Sequence, residues 1–199
     1  GASTITQQYV KLALEEAALQ AGDKEAAAAA KEVSLHRKLQ EAKYATSLEQ
    51  EISKEEILER YLNLAYFGAL TYGVEAAAQH YFSVSAAELN LGQAAVLAGV
   101  VQNPGTSDPI SNPAAAERRR NVVLNRMEEL ELAKPADVAA WKAIPIADML
   151  EVQPAQKTCQ RASMPFVCQY VINWLQQRPE LGDTYEERRK QLYTGGLTI

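Results

Sequence analysis

Residues 1–11 of the chain read GASTITQQYVK, a run of hydroxyl and amide side chains that predicts the start of a helix. Thr4 and Gln7 stand three residues apart, the spacing of a capping box in which each side chain accepts the other residue's backbone N–H. The predicted helix extends to the break at Gly22. Its unpaired N–H groups, with Lys11 one turn beyond Gln7, would suit a phosphate. A capped helix with a solvated lysine explains the same spacing.

Helix signals recur along the chain, whereas no alternating strand ladder and no repeat occurs. One long helix is predicted from about Lys24 to Gln50, through an alanine tract. Short helices are expected near Trp141 and over residues 168–177, and the final GGLTI at 195–199 predicts the beginning of a strand. The fold class is therefore predicted to be mainly α, with a C-terminal strand. The other helix starts are predicted at Ser53–Glu56, Ser85–Glu88, Asn112–Pro113 and Thr184–Glu187.

Composition limits the class of protein. The 199 residues can bury a core of ordinary size, and 47% hydrophobic with 23% charged residues is typical of a globular domain. The net charge of −5 does not favour nucleic acid as a partner. No apolar stretch approaches the roughly 20 residues needed to cross a bilayer, so any membrane anchor is expected outside these residues.

A second candidate site lies in HRKLQEAKY, residues 36–44. Glu41 stands four residues after Arg37 and three after Lys38, so one helix face carries a carboxylate and two cations. On a solvated face each pair would contribute only about 0.3–0.5 kcal/mol. In a cleft, the same residues would form a charged site whose carboxylate is held ionised.

Metal and cysteine signals are weak. His80 lies on an apolar helical stretch and is expected to be a packed histidine, because no other His or Cys offers metal spacing with it. Cys159 and Cys168 are separated by eight residues and lack zinc spacing. A local disulfide and two unrelated thiols are both compatible with the sequence.

The order and wording of these motifs resemble the peptidoglycan glycosyltransferase domain, glycosyltransferase family 51, of class A penicillin-binding proteins. The similar segments are GASTITQQ at 1–8 (second motif, with Ala2 where a second glycine is usual), RKLQE at 37–41 (third), KEEILERYLN at 54–63 (fourth) and RRNVVL at 119–124 (fifth).

The resemblance implies a fold and a division of the chain. The fold would be the lysozyme-like glycosyltransferase fold, with a glycosyltransferase domain over residues 1–132. Residues 133–199 would form a helical region and a linker toward an absent transpeptidase domain, because GGLTI is similar to that link.

The resemblance also implies an enzyme that polymerises lipid II into glycan strands, by inverting transfer from a lipid pyrophosphate. Such a reaction needs a carboxylate to take a proton from the attacking hydroxyl and cations to hold the departing pyrophosphate. A divalent cation, Mg or Mn, is expected to assist at the pyrophosphate, with no side chain assigned as its ligand. The implied residues are Glu41 as a catalytic carboxylate, Ser3, Thr4, Gln7, Gln8, Lys11, Arg37, Lys38 and Tyr66 for substrate binding, and Glu59, Asn63, Arg119 and Arg120 as structural supports.

The family's first motif, which begins with a Glu-Asp run, does not occur, since no Glu is followed by Asp in these residues. The resemblance places the general base in that motif, upstream of residue 1. Glu41 is expected to be a poor substitute, because its cationic neighbours should lower its pKa. The expectation is a chain that is truncated at its N-terminus and inactive by itself. The transpeptidase signatures S-x-x-K and K-T-G are also absent, so acylation by penicillin is not expected.

The implied partners are lipid II, the growing glycan chain, a membrane surface and cell-wall synthesis proteins, at the extracytoplasmic face of the cell membrane. The segment over residues 9–19 would contact the membrane, and a purely structural helix pair is its alternative interpretation. In that compartment Cys159 and Cys168 would form a disulfide. Two other functions remain open: a lysozyme-like hydrolase, which also needs paired acids, and a non-catalytic helical module that binds a lipid-linked saccharide or a cell-wall partner protein.

Overall fold

The computed structural model describes residues 3–32, 34–69, 71–152, 164–185, 187–188 and 192. These residues are mainly helical and contain no strand, only an isolated bridge between Tyr66 and Tyr72. The chain divides into two compact units, Gly1–Ala155 and Gln156–Ile199. The predicted domain division at residue 132 and the lysozyme-like architecture stay predictions, and the predicted strand at 195–199 lies outside the described residues.

The first unit contains nine helices within its described residues, and the second contains a tenth, with further helical residues at 185, 187–188 and 192. The helices are α1 Ile5–Gln20, α2 Lys24–Ala29, α3 Leu35–Glu51, α4 Lys54–Leu64, α5 Val74–Phe82, α6 Leu91–Val100, α7 Pro113–Glu129, α8 Pro135–Ala143, α9 Ile146–Met149 and α10 Pro165–Leu175. Short 3-10 turns cover Ala86–Glu88 and Pro179–Leu181. None of the helices in the described ranges is both long enough and apolar enough to cross a membrane.

Side-chain caps fix most of the predicted helix starts. At the start of α1, the Thr4 hydroxyl accepts the N–H of Gln7, and the Gln7 side chain accepts the N–H of Thr4. Asn112 accepts the N–H of Ala115, with Pro113 as the first residue of α7. Each bond satisfies a donor that the first turn of a helix leaves unpaired. These two predicted starts are confirmed.

The single helix predicted over 24–50 is wrong. The Ser34 backbone is extended, and its hydroxyl accepts the N–H of Arg37, which starts α3 as a separate helix. A serine that bonds to nearby backbone offers the chain an alternative to a continuous helix. The alanine tract therefore ends as the short α2.

Two further helix starts differ in detail from their predictions. Ser85 and Glu88 form their capping box around a 3-10 turn, and α6 begins later, behind a box of Asn90 and Gln93. Ser53 caps α4 as predicted, but the Glu56 carboxylate accepts a bond from Arg60 at 2.5 Å. The choice of partner by a long side chain such as glutamate is not fixed by spacing alone.

Helix α1 packs against α2, α3 and α4, and this packing brings distant segments to one place. Val10 is buried, and Tyr9 and Leu12 pack against the main core cluster, whereas Leu14 is partly exposed. Part of the apolar face of α1 is therefore core. Membrane contact by residues 9–19 stays a prediction.

In the second unit, Cys168 is disulfide-bonded. Its predicted partner, Cys159, lies outside the described residues. The guanidinium of Arg178 lies 3.7 Å from the ring centroid of Trp174, a cation–π contact that holds the residues following α10 against that helix.

Candidate functional site

A cleft of about 870 Å³ opens between the first turns of α1 and α3 on one side and α4, residues 65–67 and α6 on the other. One part of its lining is polar and cationic, and the remainder is apolar. The polar lining comes from Ser3, Gln8, Lys11, Arg37, Lys38 and Gln102. The apolar lining includes Leu12, Leu62, Ala65, Phe67, Leu97 and Val101, with the half-buried Tyr66 beside them.

The carboxylate of Glu41 organises the cations of α3. Glu41 is 2% exposed and accepts bonds from the Arg37 guanidinium and, at 2.9 Å, from the Lys38 ammonium. The same ammonium donates to the hydroxyl of Ser3 at 2.8 Å, which ties the start of α1 to α3. Arg37 also donates to the carbonyl of Glu32. Glu41 therefore neutralises one of two adjacent cations and fixes the position of both.

Lys11 contributes a third cation from α1. It is half-buried in the cleft wall and forms no ion pair within the described part of the chain. With Arg37 and Lys38 against Glu41, the cleft carries a net charge of about +2 near Lys11. Cations held in place at the wall of a cleft are suited to bind a compact dianion such as a diphosphate.

The predicted residues at the start of α1 separate into two groups. Ser3 and Gln8 line the cleft, as Lys11 does. The side chains of Thr4 and Gln7 bond to each other's backbone in the capping box and do not line the cleft. Spacing alone could not distinguish these groups, since capping and ligand binding favour the same residue types.

Tyr66 owes its position to a buried tyrosine that sequence reasoning missed. The Tyr81 hydroxyl donates to the carbonyl of Phe67 at 2.9 Å and lies 3.4 Å from the Asp108 carboxylate. Burial, with the nearby Asp108, raises the pKa of Tyr81, so the hydroxyl remains protonated and able to donate at neutral pH. Gly68 has a φ of +91° and lies against this hydroxyl, where a side chain would collide. The turn after Tyr66 is thereby held in place.

The four residues implied as structural supports lie outside the lining of the cleft. Glu59 and Asn63 are exposed on α4. Arg119 is half-buried on α7, and its Nε atom has no hydrogen-bond partner among the residues that the structure describes. Arg120 is completely buried and donates to the carbonyl of Ile144 at 2.5 Å and to a second carbonyl at 3.2 Å. Burial lowers the pKa of Arg120. This side chain joins α7 to the C-terminal end of α8.

The described residues do not fit a divalent cation held by the protein. No group of three or more His, Cys, Asp or Glu side chains in the described ranges could hold a metal ion. Mg²⁺ prefers carboxylate and other oxygen ligands, and the Glu41 carboxylate is already paired with Arg37 and Lys38. The Mg or Mn expected at the pyrophosphate stays a prediction.

Comparison with known proteins identifies the family. Residues 1–128 match the family model described as "Transglycosylase". The chain belongs to the transglycosylase family. This membership confirms the resemblance inferred from the four motifs, and most of the residues placed above fall within the matched range.

The relatives of this transglycosylase chain are penicillin-binding proteins. It is 36% identical over 202 residues to penicillin-binding protein 2D of Bacillus subtilis (strain 168), covering 100% of this chain and 25% of the relative. It is 34% identical over 199 residues to penicillin-binding protein 1A of Vibrio cholerae serotype O1, covering 100% of this chain and 21% of the relative. The chain thus spans a quarter or less of the length of these relatives. A 2.6 Å crystal structure of penicillin-binding protein 1A from Haemophilus influenzae aligns with a TM-score of 0.48 and 34% identity, over 62% of this chain and 18% of that one.

Proposed function

We propose that the chain is the glycosyltransferase part of a wall-building enzyme that polymerises lipid II into glycan strands, with a lipid pyrophosphate as leaving group. The observation that carries the proposal is the meeting of Lys11 with Arg37 and Lys38 on one cleft, in a chain of the transglycosylase family. These cations come from two different helices, and Lys11 precedes Arg37 by 26 residues. Their convergence on one wall supports a shared anionic ligand.

In this proposal the polar and charged side chains at one end of the cleft bind the leaving group. Negative charge develops on the pyrophosphate as the glycosidic donor bond breaks, and Lys11 and Arg37 stabilise it through charge-assisted hydrogen bonds. Ser3 and Glu41 hold the Lys38 ammonium, so little reorganisation is needed during the reaction. The apolar remainder of the cleft excludes water and strengthens these interactions.

The ligand site is tested with Lys11→Ala. Loss of a hydrogen bond to a charged group costs about 1.5–3 kcal/mol, so we expect the affinity for lipid II, or for the phosphoglycolipid moenomycin, to fall at least about tenfold. The measurement is isothermal titration calorimetry, with Lys43→Ala as the matched control, because Lys43 is exposed on α3 and does not line the cleft. Equal affinities in both variants and the unmodified chain would contradict the diphosphate site and favour the non-catalytic module.

We propose that these 199 residues by themselves do not catalyse polymerisation of lipid II. The lining residues that the structure describes include no Asp or Glu, and the buried Glu41 is paired with Arg37 and Lys38. A carboxylate stabilised in its ionised form by two cations is a weak general base. We expect no glycan product from labelled lipid II on a gel, beside an active transglycosylase as positive control. If the chain produces more glycan than a reaction without protein, the proposal is wrong and a group within these residues takes the proton.

The membrane surface, the extracytoplasmic location and the cell-wall synthesis partners stay predictions of the resemblance. The proposed test uses detergent-solubilised ligand and does not depend on them.

A further inference from the structure

One face of α10 is apolar and exposed, and the proposed function gives it no role. Phe166, Tyr170 and Trp174 follow one another at four-residue spacing, so their side chains form one stripe along the helix. Phe166 is 92% exposed and Tyr170 is 70% exposed, and Val167 and Trp174 are about half exposed beside them. A helix normally buries its apolar stripe, and an exposed apolar patch marks a surface that contacts a partner or a membrane.

Contacts near both ends of α10 hold the aromatic stripe in place. On the side of the helix away from the stripe, Cys168 is disulfide-bonded and Leu175 is partly buried. After the helix, the Arg188 guanidinium donates to the carbonyls of Gln176 and Gly182, each at 2.8 Å. The stripe therefore lies on a helix whose other side is already packed.

The sequence around the aromatic stripe is cationic. Between residues 152 and 179 it has three Lys or Arg and no Asp or Glu, in a chain whose net charge is −5. Arg178 lies beside the stripe, with its guanidinium 3.7 Å from the centroid of the Trp174 ring. This charge is complementary to an anionic surface.

These features fit the surface of an anionic lipid bilayer better than they fit a protein partner. The stripe protrudes from a single helix, and a fluid headgroup region accommodates such a shape without a matching groove. Tyrosine and tryptophan combine an apolar ring with a polar tip, and both are enriched at membrane interfaces. With 11 residues, α10 is too short to cross a bilayer, whereas a helix of this length can lie in the plane of its surface.

We infer that α10 lies in the headgroup region of an anionic membrane, with the aromatic stripe among the lipids and Arg178 against a headgroup phosphate. This contact is separate from the one predicted for residues 9–19, because it uses the second compact unit. It also goes beyond the proposed diphosphate site, because any anionic phospholipid supplies the phosphate and no lipid-linked saccharide is required.

The test measures how the full 199-residue chain binds to vesicles in a flotation assay. Vesicles of phosphatidylcholine with about one third phosphatidylglycerol are compared with vesicles of phosphatidylcholine alone. We expect the unmodified chain to float with the anionic vesicles, and the double variant Phe166→Ser with Tyr170→Ser to lower its partitioning at least about tenfold. Leu132→Ser is the matched control and should leave the partitioning unchanged, because Leu132 is 68% exposed but belongs to the first unit.

Two further variants test the position of the membrane contact. Arg178→Gln is expected to weaken binding to the anionic vesicles about fivefold, whereas Arg178→Lys keeps the charge and should retain most of the binding. The tryptophan emission of the unmodified chain should shift to shorter wavelength when anionic vesicles are added. Trp174→Phe should abolish that shift, because the inserted indole is the one on the stripe.

The inference is overturned if the unmodified chain does not float with anionic vesicles, or if the double variant floats as well as the unmodified chain does. In the second case, loss of flotation in Leu14→Ser would assign the membrane contact to residues 9–19 instead. If the chain does not float but forms a dimer that the double variant abolishes, the stripe is an interface between copies. Circular dichroism checks that each variant is folded. None of the vesicles contains lipid II, so these outcomes are independent of the diphosphate site.

Discussion

Arg120→Ala is expected to lower the free energy of unfolding by about 3–5 kcal/mol. The Arg120 side chain is completely buried and donates to the carbonyls of Ile144 and Lys142 and to the side-chain oxygen of Asn121. Truncation removes these donors, leaves part-buried acceptors without partners and opens a cavity between α7 and α8. Each unsatisfied buried acceptor costs about 1–3 kcal/mol, and the cavity adds to this cost. Urea unfolding followed by far-ultraviolet circular dichroism measures the change.

Two variants separate the causes of that loss. Arg120→Met refills part of the volume without supplying donors. Its free energy of unfolding should therefore exceed that of Arg120→Ala only by the cavity contribution. Arg118→Ala removes an exposed arginine from the same helix, and its effect should stay within about 0.5 kcal/mol. An Arg120→Ala protein as stable as the Arg118→Ala protein would mean that solvent satisfies the two carbonyls.

Local signals in the sequence were sufficient for much of the helical fold. Thr4 with Gln7, and Asn112 with Pro113, predict helix starts because the partners of a cap lie within three residues. The boundary at Ser34 was missed because the alanines before it have high helix propensity. Helix propensity summed over a window of residues cannot show that the Ser34 hydroxyl accepts a backbone N–H and starts a new helix.

The candidate site was predictable only where its partners are close in sequence. The Arg37–Lys38–Glu41 cluster follows from helical spacing, but the spacing is compatible with a solvated carboxylate as well as with the buried Glu41 that the structure has. The hydrogen bond from Tyr81 to Phe67 joins residues that are fourteen apart in sequence, and no local pattern predicts it. The two carbonyls that accept bonds from Arg120 belong to residues more than twenty positions away. Contacts of this kind arise from packing, so only the structure reveals them.

Glu41→Ala is expected to lower the free energy of unfolding by about 3–5 kcal/mol, because it breaks a buried ion pair and leaves the Arg37 guanidinium uncompensated. The Glu41 side chain is 3% exposed and that of Arg37 is 15% exposed, so water cannot readily replace the lost partner. The Lys38 side chain is 47% exposed and can turn to solvent, which limits its share of the cost. Glu41→Gln keeps the shape of the side chain and one acceptor oxygen, so it should lower the free energy of unfolding by less than Glu41→Ala does. Glu51→Ala, at the exposed end of the same helix, should change stability by no more than about 0.5 kcal/mol.

The same variants test whether Glu41 limits the cleft as an anion site. Glu41→Gln removes one negative charge beside Arg37 and Lys38, so the net positive charge facing the cleft rises. If the two cations keep their positions, inorganic pyrophosphate should bind Glu41→Gln more tightly than the unmodified chain, although the variant is less stable. Calorimetric titration at low ionic strength measures this, because screening by salt weakens the difference. Weaker binding by a folded Glu41→Gln protein would contradict this expectation. It would mean that the Glu41 carboxylate helps anion binding by positioning Arg37 and Lys38, and that this effect outweighs its negative charge.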